Sequence, residues 1–211
     1  MSSNRGWMKK AGLVLAMTLI LTPGLAAGPG HSGFYLGAGL GGAIPNHDED
    51  SPALMMDAET GAGLEVHLGY NFTDNLGFGV QAGGAFGEAV EDWGWLQSYA
   101  VLSGRFSLPL TEKFVPYVEI GLGPYVLWYL EGDSTGPTDS IIADPVLGFR
   151  FALGTSFYFR RFYIGPEISY HVARYTDWSY KPEDGGSFDF ESDETGDKLL
   201  ILLRLGYHFR H

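Results

Sequence analysis

The stretch LEVHLGYNF, from Leu64 to Phe72, alternates between two kinds of residue along its whole length. Every second residue from Leu64 onward is apolar, and the residues between them are Glu65, His67, Gly69 and Asn71. A period of two residues predicts a β-strand with two different faces. The polar face carries few charged groups, so it is not clearly a face that meets water. The fold therefore depends on which face of the sheet meets water.

Composition limits the class of protein. The chain has 211 residues, of which 31 are Gly and none is Cys. This length suits a single all-β domain. The lack of Cys excludes disulfide bonds and a lipid-modified N-terminal Cys.

The N-terminus has the pattern of an export signal. Arg5, Lys9 and Lys10 precede an apolar run from Ala11 to Leu21, and small residues follow it. We therefore predict a signal peptide over residues 1–27 and a barrel domain over residues 28–211. A membrane anchor is the alternative, but the run is shorter than the roughly 20 apolar residues that a span needs.

The charge of the mature chain excludes one class of partner. Removal of residues 1–27 changes the formal net charge from −12 to −15. Nucleic-acid binding requires a basic surface, so we expect no nucleic-acid partner.

The remaining chain divides into predicted strands separated by connections of alternating length. The short connections lie near residues 73–75, 109–113 and 159–161, and the long ones near 45–60, 87–95, 130–144 and 176–197. Short turns at one end and long loops at the other are typical of outer-membrane barrels. The predicted strands are Gly33–Ile44, Gly61–Phe72, Leu76–Phe86, Leu96–Leu108, Phe114–Tyr129, Pro145–Tyr158, Phe162–Tyr175 and Lys198–Phe209.

The residues on the two faces of these strands indicate which face meets lipid and which lines the lumen. One face of the last strand carries Leu199, Ile201, Leu203, Leu205, Tyr207 and Phe209, whereas the other face of the strands is rich in glycine with isolated charges. A soluble barrel would cover its outside with many polar groups. The apolar face therefore points outward into lipid, and the sequence predicts an all-β, eight-stranded antiparallel up-and-down transmembrane β-barrel preceded by a signal peptide.

Aromatic residues gather near both ends of the predicted strands. Such girdles are typical of the two membrane interfaces, although strands are also enriched in aromatic residues generally. The set at the long-loop end comprises Trp93, Trp95, Trp128, Tyr175 and Trp178, and the set at the short-turn end comprises Tyr70, Phe72, Phe78, Phe106, Phe114, Phe162, Tyr207 and Phe209.

With these features the chain resembles the small eight-stranded outer-membrane proteins, the OmpA-type barrel domain and its OmpX- and OmpW-like relatives. The resemblance covers the chain from Phe34 onward. Its last residues, RLGYHFRH, match the terminal signal of that family at Arg204, Gly206 and Phe209, but His211 replaces the terminal aromatic residue. The resemblance implies short turns in the periplasm, long loops outside the cell, contact with outer-membrane lipid and lipopolysaccharide, and insertion by the barrel assembly machinery.

Charged residues on the inward face form the first candidate site. Because a charge inside a closed lumen must be paired, equal numbers of acids and bases predict a lumen ion network. Structural packing is the main interpretation, with a gate or proton relay as the alternative. The predicted members are Glu65, His67, Arg105, Glu119, Arg150, Glu167, His171 and Arg204.

Acidic residues in the long loops form the second candidate site. Of the 25 acidic residues, 20 fall in these four predicted loops. Solvated loop tips explain them most simply, and a weak divalent-cation site at Asp189, Glu191 and Asp193 is the alternative. The metal and any extracellular partner cannot be named from the sequence.

No catalytic residue or cofactor is predicted. Outer-membrane lipid A deacylases carry a His-x-Ser step on a lipid-facing strand, but Val172 and Ala173 follow His171 here. We therefore expect a non-enzymatic barrel with a membrane-structural or surface-interaction role. A narrow channel for small apolar solutes, as in OmpW-like proteins, is the first alternative, and a lipid A-modifying enzyme is the second.

Overall fold

The computed structural model describes residues 30–46, 58–89, 93–131, 139–183 and 185–210. The predicted signal peptide and its cleavage site lie outside these residues, as do Asp48, Glu91 and several other acids of the predicted loops. In the described part of the chain, no helix has the length and apolar character needed to cross a membrane.

All regular secondary structure in this part consists of β-strands. In chain order they are β1 (Gly33–Asn46), β2 (Gly61–Asn71), β3 (Leu76–Glu88), β4 (Trp93–Ser107), β5 (Phe114–Glu131), β6 (Ser140–Ala143), β7 (Val146–Phe159), β8 (Phe162–Val172), β9 (Arg174–Lys181), β10 (Phe188–Thr195) and β11 (Asp197–Arg210).

Eight of these strands close into a barrel. Antiparallel pairing runs from β1 through β2, β3, β4 and β5, continues through β7 and β8 to β11, and returns to β1. The closing pair is in register from Gly33 opposite Arg210 to Asn46 opposite Asp197. Since closure leaves no strand edge within the wall, each barrel strand pairs with a neighbour on both sides. The predicted eight-stranded antiparallel barrel is confirmed.

The other three strands lengthen the wall at the long-loop end. Only Ala173 separates β9 from β8, and only Gly196 separates β10 from β11. The short strand β6 pairs with both β5 and β9. Most of the fourth predicted loop and part of the third are therefore sheet. Gly185 and Gly186 have φ angles of +93° and +103°, which allow the chain to reverse between β9 and β10.

The second long connection is shorter than predicted. Gly87 pairs with Trp95 and Glu88 with Gly94, so the ladder between β3 and β4 continues past the predicted strand ends. The sequence pattern does not reveal this continuation because the glycines interrupt the apolar alternation.

Side chains alternate between an apolar outer face and a buried interior, as predicted. On β11 the outward Ile201, Leu203 and Leu205 are 46%, 52% and 57% exposed, whereas the inward Leu200 and Leu202 are almost fully buried. A continuous apolar outer band of this kind matches a lipid environment rather than water.

The predicted aromatic girdle at the long-loop end is wrong for three of its five members. Trp95, Tyr175 and Trp178 are buried inside the mouth of the barrel instead of lying at the membrane interface. The buried, inward-facing residues have odd numbers up to Tyr175, but Trp178 has an even number. This change lies near an irregularity in the β9–β10 pairing. A bulge of this type redirects the side chains that follow it.

Tyrosines fill much of the lumen, and glycines leave room for their rings. The ring of Tyr117 lies over Gly154 on the neighbouring strand, and the ring of Tyr125 lies over Gly148. A Cβ atom at either glycine would collide with the ring. The interior of an eight-stranded barrel is just wide enough to be filled by such side chains.

Candidate functional site in the barrel lumen

The predicted ion network lies near the middle of the barrel. Its six acidic and basic members come from six different strands, and each is at most 6% exposed. The strand alternation directs all of them inward. They are Glu65 on β2, Arg105 on β4, Glu119 on β5, Arg150 on β7, Glu167 on β8 and Arg204 on β11.

Arg150 lies at the centre of the network. Its Nη1 is 2.6 Å from Glu119 Oε1, and its Nη2 is 2.5 Å from Glu167 Oε1 and 3.4 Å from Glu65 Oε2. One guanidinium therefore contacts three carboxylates on three other strands. The planar, forked donor groups of arginine suit this role.

Two further arginines complete the charge balance. Arg105 Nε donates to Glu119 Oε2 at 2.8 Å. Arg204 Nη2 lies 3.1 Å from Glu65 Oε1, and its Nη1 donates to Glu167. Each carboxylate thus contacts two guanidinium groups, and three negative charges meet three positive charges.

Neutral side chains supply additional hydrogen bonds to the carboxylates. Tyr99 OH donates to Glu65 at 2.9 Å, and Tyr117 OH donates to Glu167 at 2.8 Å. Gln81 Nε2 donates to Glu119. These three residues are not among the predicted members of the network, although strand alternation directs each of them to the same inward face.

The two predicted histidines have different surroundings. His67 belongs to the network, because its Nδ1 accepts a hydrogen bond from Arg204 Nε at 3.3 Å and its Nε2 lies 2.5 Å from Tyr163 OH. His171 instead contacts Tyr125 OH through Nδ1 and Ser169 Oγ through Nε2, at 3.0 and 3.1 Å. The structure therefore does not bring His171 into the Glu and Arg cluster.

The contact between Ser169 and His171 has the residue types of a nucleophile and its base. Both side chains are fully buried and point into the lumen. Within the described residues, both ring nitrogens of His171 bond to hydroxyl groups rather than to a carboxylate. A catalytic serine and histidine would need access to the substrate and a group that orients the imidazole. The arrangement is that of a packed hydrogen-bonded pair.

The acidic residues of the predicted cation site lie on β10. Asp189, Glu191 and Asp193 are all exposed, and Asp189 Oδ1 accepts a hydrogen bond from Ser179 at 2.7 Å. Among the described residues, no group of three or more His, Asp or Glu side chains is arranged to hold a metal ion. Weak divalent-cation binding stays a prediction, which calcium calorimetry with and without substitution of these acids would test.

One acid near the start of β6 fastens the sheet extension. Asp139 accepts a hydrogen bond from the Tyr180 hydroxyl and another, at 2.8 Å, from the Glu183 backbone N–H. Both bonds stabilise the ionised carboxylate, so they lower the pKa of Asp139 below its usual value. The hydroxyl contributes more than the backbone group.

Solved structures of outer-membrane proteins share this fold. Neisserial surface protein A is 14% identical with a TM-score of 0.61, and the alignment covers 84% of this chain and 98% of that one. OprG from Pseudomonas aeruginosa is 17% identical, with a TM-score of 0.59 and coverage of 86% and 99%. A major outer membrane protein from Thermus thermophilus is 11% identical, with a TM-score of 0.58 and coverage of 85% and 100%. A comparison with curated protein sequences finds no match.

A family model extends the comparison from fold to family. The model described as the outer membrane protein beta-barrel domain matches residues 12–209, which is almost the whole chain. Its match spans all eight barrel strands and the three strands that lengthen the wall. The protein therefore belongs to the outer membrane protein beta-barrel domain family and is an integral protein of the Gram-negative outer membrane.

Proposed function

We propose that this protein is a non-enzymatic barrel with a membrane-structural or surface-interaction role. The single observation that carries the proposal is the closed lumen. Arg150 links three carboxylates on three other strands, and the six charged residues of the network are nearly inaccessible to water. Such a cluster fastens opposite walls of the barrel together.

Packed aromatic layers on both sides of the network support the proposal. Towards the short turns, Tyr35, Tyr158 and Tyr163 form a buried cluster. Towards the long loops, a larger buried cluster includes Tyr99 and Trp178. The lumen is therefore occupied by side chains over most of its length.

The surface role rests on the sheet extension. We place the long-loop end outside the cell, so that β9 and β10 would extend beyond the membrane surface. Their exposed carboxylates include Asp177, Asp189 and Glu191. Outer-membrane lipid, lipopolysaccharide and the barrel assembly machinery are the partners that this placement implies.

A polar and packed lumen does not favour the alternative of a channel for small apolar solutes. A planar-bilayer recording of the refolded mature protein tests the closed lumen directly. We expect no steady conductance in the intact barrel. A steady conductance in the unmodified protein would contradict the proposal.

A further inference from the structure

The tight turn between β7 and β8 places two cations beside two apolar rings. Its residues, Phe159 to Phe162, have the sequence FRRF, and we call them the FRRF turn. Arg160 and Arg161 form the turn itself, whereas Phe159 and Phe162 lie directly opposite each other on the two strands. Both phenylalanines are 63% exposed on the outer wall of the barrel. The turn therefore presents positive charge next to an apolar surface.

The outer wall beside this turn is aromatic. Phe162 lies opposite Tyr207 on β11, with ring centroids 5.1 Å apart, and Tyr207 packs against Phe209 at 4.8 Å. These three residues belong to the girdle at the short-turn end. Aromatic girdles mark the level at which the hydrocarbon of a bilayer meets the head groups. The FRRF turn thus lies at head-group level and continues the lipid-facing wall.

Arg161 directs its guanidinium group onto this wall. Its Nη1 donates a hydrogen bond to the Tyr207 hydroxyl at 3.1 Å. Among the described residues, this hydroxyl is the one side-chain partner of Arg161, and no carboxylate pairs with the guanidinium. A guanidinium group carries more N–H donors than this single bond uses, and it is always charged. It can therefore bind an anion at the level of the head groups.

Arg160 has a backbone conformation that few residues with a side chain adopt. Its φ angle is +62°, and within the described part of the chain it is the one residue other than glycine with a positive φ. Two-residue hairpin turns normally have Gly, Asn or Asp at such a position. Strained residues of this kind cluster where a side chain serves a function. The strain therefore points to a use for the second positive charge.

The charge of the FRRF turn is a local exception in an acidic protein. The whole chain has a formal net charge of −12, and each of the other two short turns contains an acid. Asp74 lies in the turn after β2, and Glu112 precedes Lys113 in the turn after β4. No acid interrupts the FRRF turn. An anion is therefore attracted to this turn more than to its neighbours.

We propose that the FRRF turn and Tyr207 bind the head group of one anionic phospholipid in the leaflet that surrounds the short-turn end. The phosphate accepts hydrogen bonds from the guanidinium of Arg161 and from the Tyr207 hydroxyl, whose oxygen accepts from Arg161. Arg160 adds a second positive charge, and the acyl chains pack on Phe159 and Phe162. The planar fork of arginine matches the oxygens of a phosphate group.

A phospholipid fits this surface better than a free phosphate ion. Because the guanidinium group is exposed, water weakens its attraction for a lone anion. A lipid also buries apolar surface on the two exposed phenyl rings, and this contact does not depend on charge. The inference goes beyond the proposed function, because it concerns the outer wall and holds whether or not the lumen conducts ions.

Native mass spectrometry of the refolded mature barrel in detergent tests the proposal. The probes are phosphatidylglycerol, which is anionic, phosphatidylcholine with the same acyl chains, which is zwitterionic, and inorganic phosphate. We expect one phosphatidylglycerol to be retained more strongly than phosphatidylcholine, and inorganic phosphate not to be retained. Equal retention of the two lipids would overturn the proposal. Retention of inorganic phosphate as strong as that of phosphatidylglycerol would also overturn it, because the site would then bind a free anion.

Two variants with the same change of charge test whether the site is specific. Arg161→Gln removes a charged hydrogen-bond donor to the phosphate, so we expect the affinity for phosphatidylglycerol to fall about tenfold or more. Lys113→Gln, in an exposed turn at the same end of the barrel, is the matched control and should leave the affinity unchanged. Equal losses in the two variants would show a diffuse effect of surface charge instead of a site. The comparison of lipids on the unmodified protein does not depend on the folding of either variant.

Discussion

Arg150 and Glu119 form an ion pair across neighbouring strands, with Nη1 2.6 Å from Oε1. The pair is diagonal, since Arg150 lies opposite Gly121 and Glu119 lies opposite Ala152. The same guanidinium group also contacts Glu167 and Glu65. Loss of this one cation therefore affects three buried carboxylates.

Replacement of the central cation should strongly destabilise the barrel. Arg150→Met keeps much of the side-chain volume but leaves the three carboxylates with less positive charge. Removal of one partner from a buried ion pair costs about 3–5 kcal/mol in the free energy of unfolding, and we expect a loss of this size. Urea unfolding in lipid vesicles, followed by tryptophan fluorescence, measures it.

A matched pair and a surface control make this test specific. The double variant Arg105→Met with Glu119→Gln removes one charge of each sign, so its cost should be clearly smaller than the sum of the two single costs. Lys113→Met, in an exposed turn, should change the stability by no more than about 0.5 kcal/mol. Equally mild effects for Arg150→Met and Lys113→Met would mean that the lumen charges are solvated.

Close backbone packing should make Gly123 of β5 sensitive to substitution, whereas Gly104 of β4 should tolerate it. A Cβ atom at Gly123 would collide with the backbone oxygen of Ala100, whereas a Cβ atom at Gly104 would meet nothing within 4 Å. Overpacking of this kind costs about 1–3 kcal/mol, so we expect Gly123→Ala to lose that much stability. Gly104→Ala should be neutral or slightly stabilising. The same unfolding assay compares them, and equal losses would contradict the packing argument.

Much of the fold follows from simple alternation in the sequence. The pattern around Glu65 and His67 already places both residues on the inward face, and the same rule applied to each strand places Arg150 and Arg204 in the lumen. The same count along β11 also places Lys198, which is 2% exposed, on the inward face. A two-residue period carries this information because each side chain of a strand points to a definite face.

Other features depend on contacts that a single strand does not reveal. The place of Trp178 near a loop predicts an interfacial residue. The wall instead continues through β9, and a change of phase turns this residue inward. His171 shares the inward face with Glu167, yet its partners are Tyr125 and Ser169. The face to which a side chain points follows from the alternation of its own strand. Its height along the barrel axis depends instead on the stagger between strands.

The closed, lipid-facing barrel should resist detergent unless it is heated. Because all eight strands pair around the ring, unfolding must break many backbone hydrogen bonds together. We expect unboiled and boiled samples to migrate differently in detergent gels, and amide exchange to be slow in all eight strands. A protein that refolds as a soluble monomer without detergent or lipid would contradict the membrane placement.

Acid should loosen the attachment between β6 and the β9–β10 hairpin. The Tyr180 hydroxyl and the Glu183 N–H bind the ionised form of Asp139 and lower its pKa below the ordinary value of 3.8. A lowered folded pKa means that the stabilisation is complete above the unfolded pKa and is lost as the pH falls through the folded pKa. Protection of the Glu183 amide from hydrogen exchange should therefore fall only below pH 3.8, the ordinary pKa of the carboxyl.

A side-chain NMR titration separates this attachment from general acid unfolding. The carboxyl carbon of Asp139 should titrate with a midpoint below 3.8, and Tyr180→Phe should raise the midpoint towards that value because the stronger of the two hydrogen bonds is lost. Tyr170→Phe removes a hydroxyl that donates to Asp197 instead, so it should leave the Asp139 midpoint unchanged. If Tyr180→Phe also left the midpoint unchanged, the hydroxyl would not be bonded to Asp139 in solution. The Glu183 N–H would then supply the hydrogen bond that holds the Asp139 carboxylate against the hairpin.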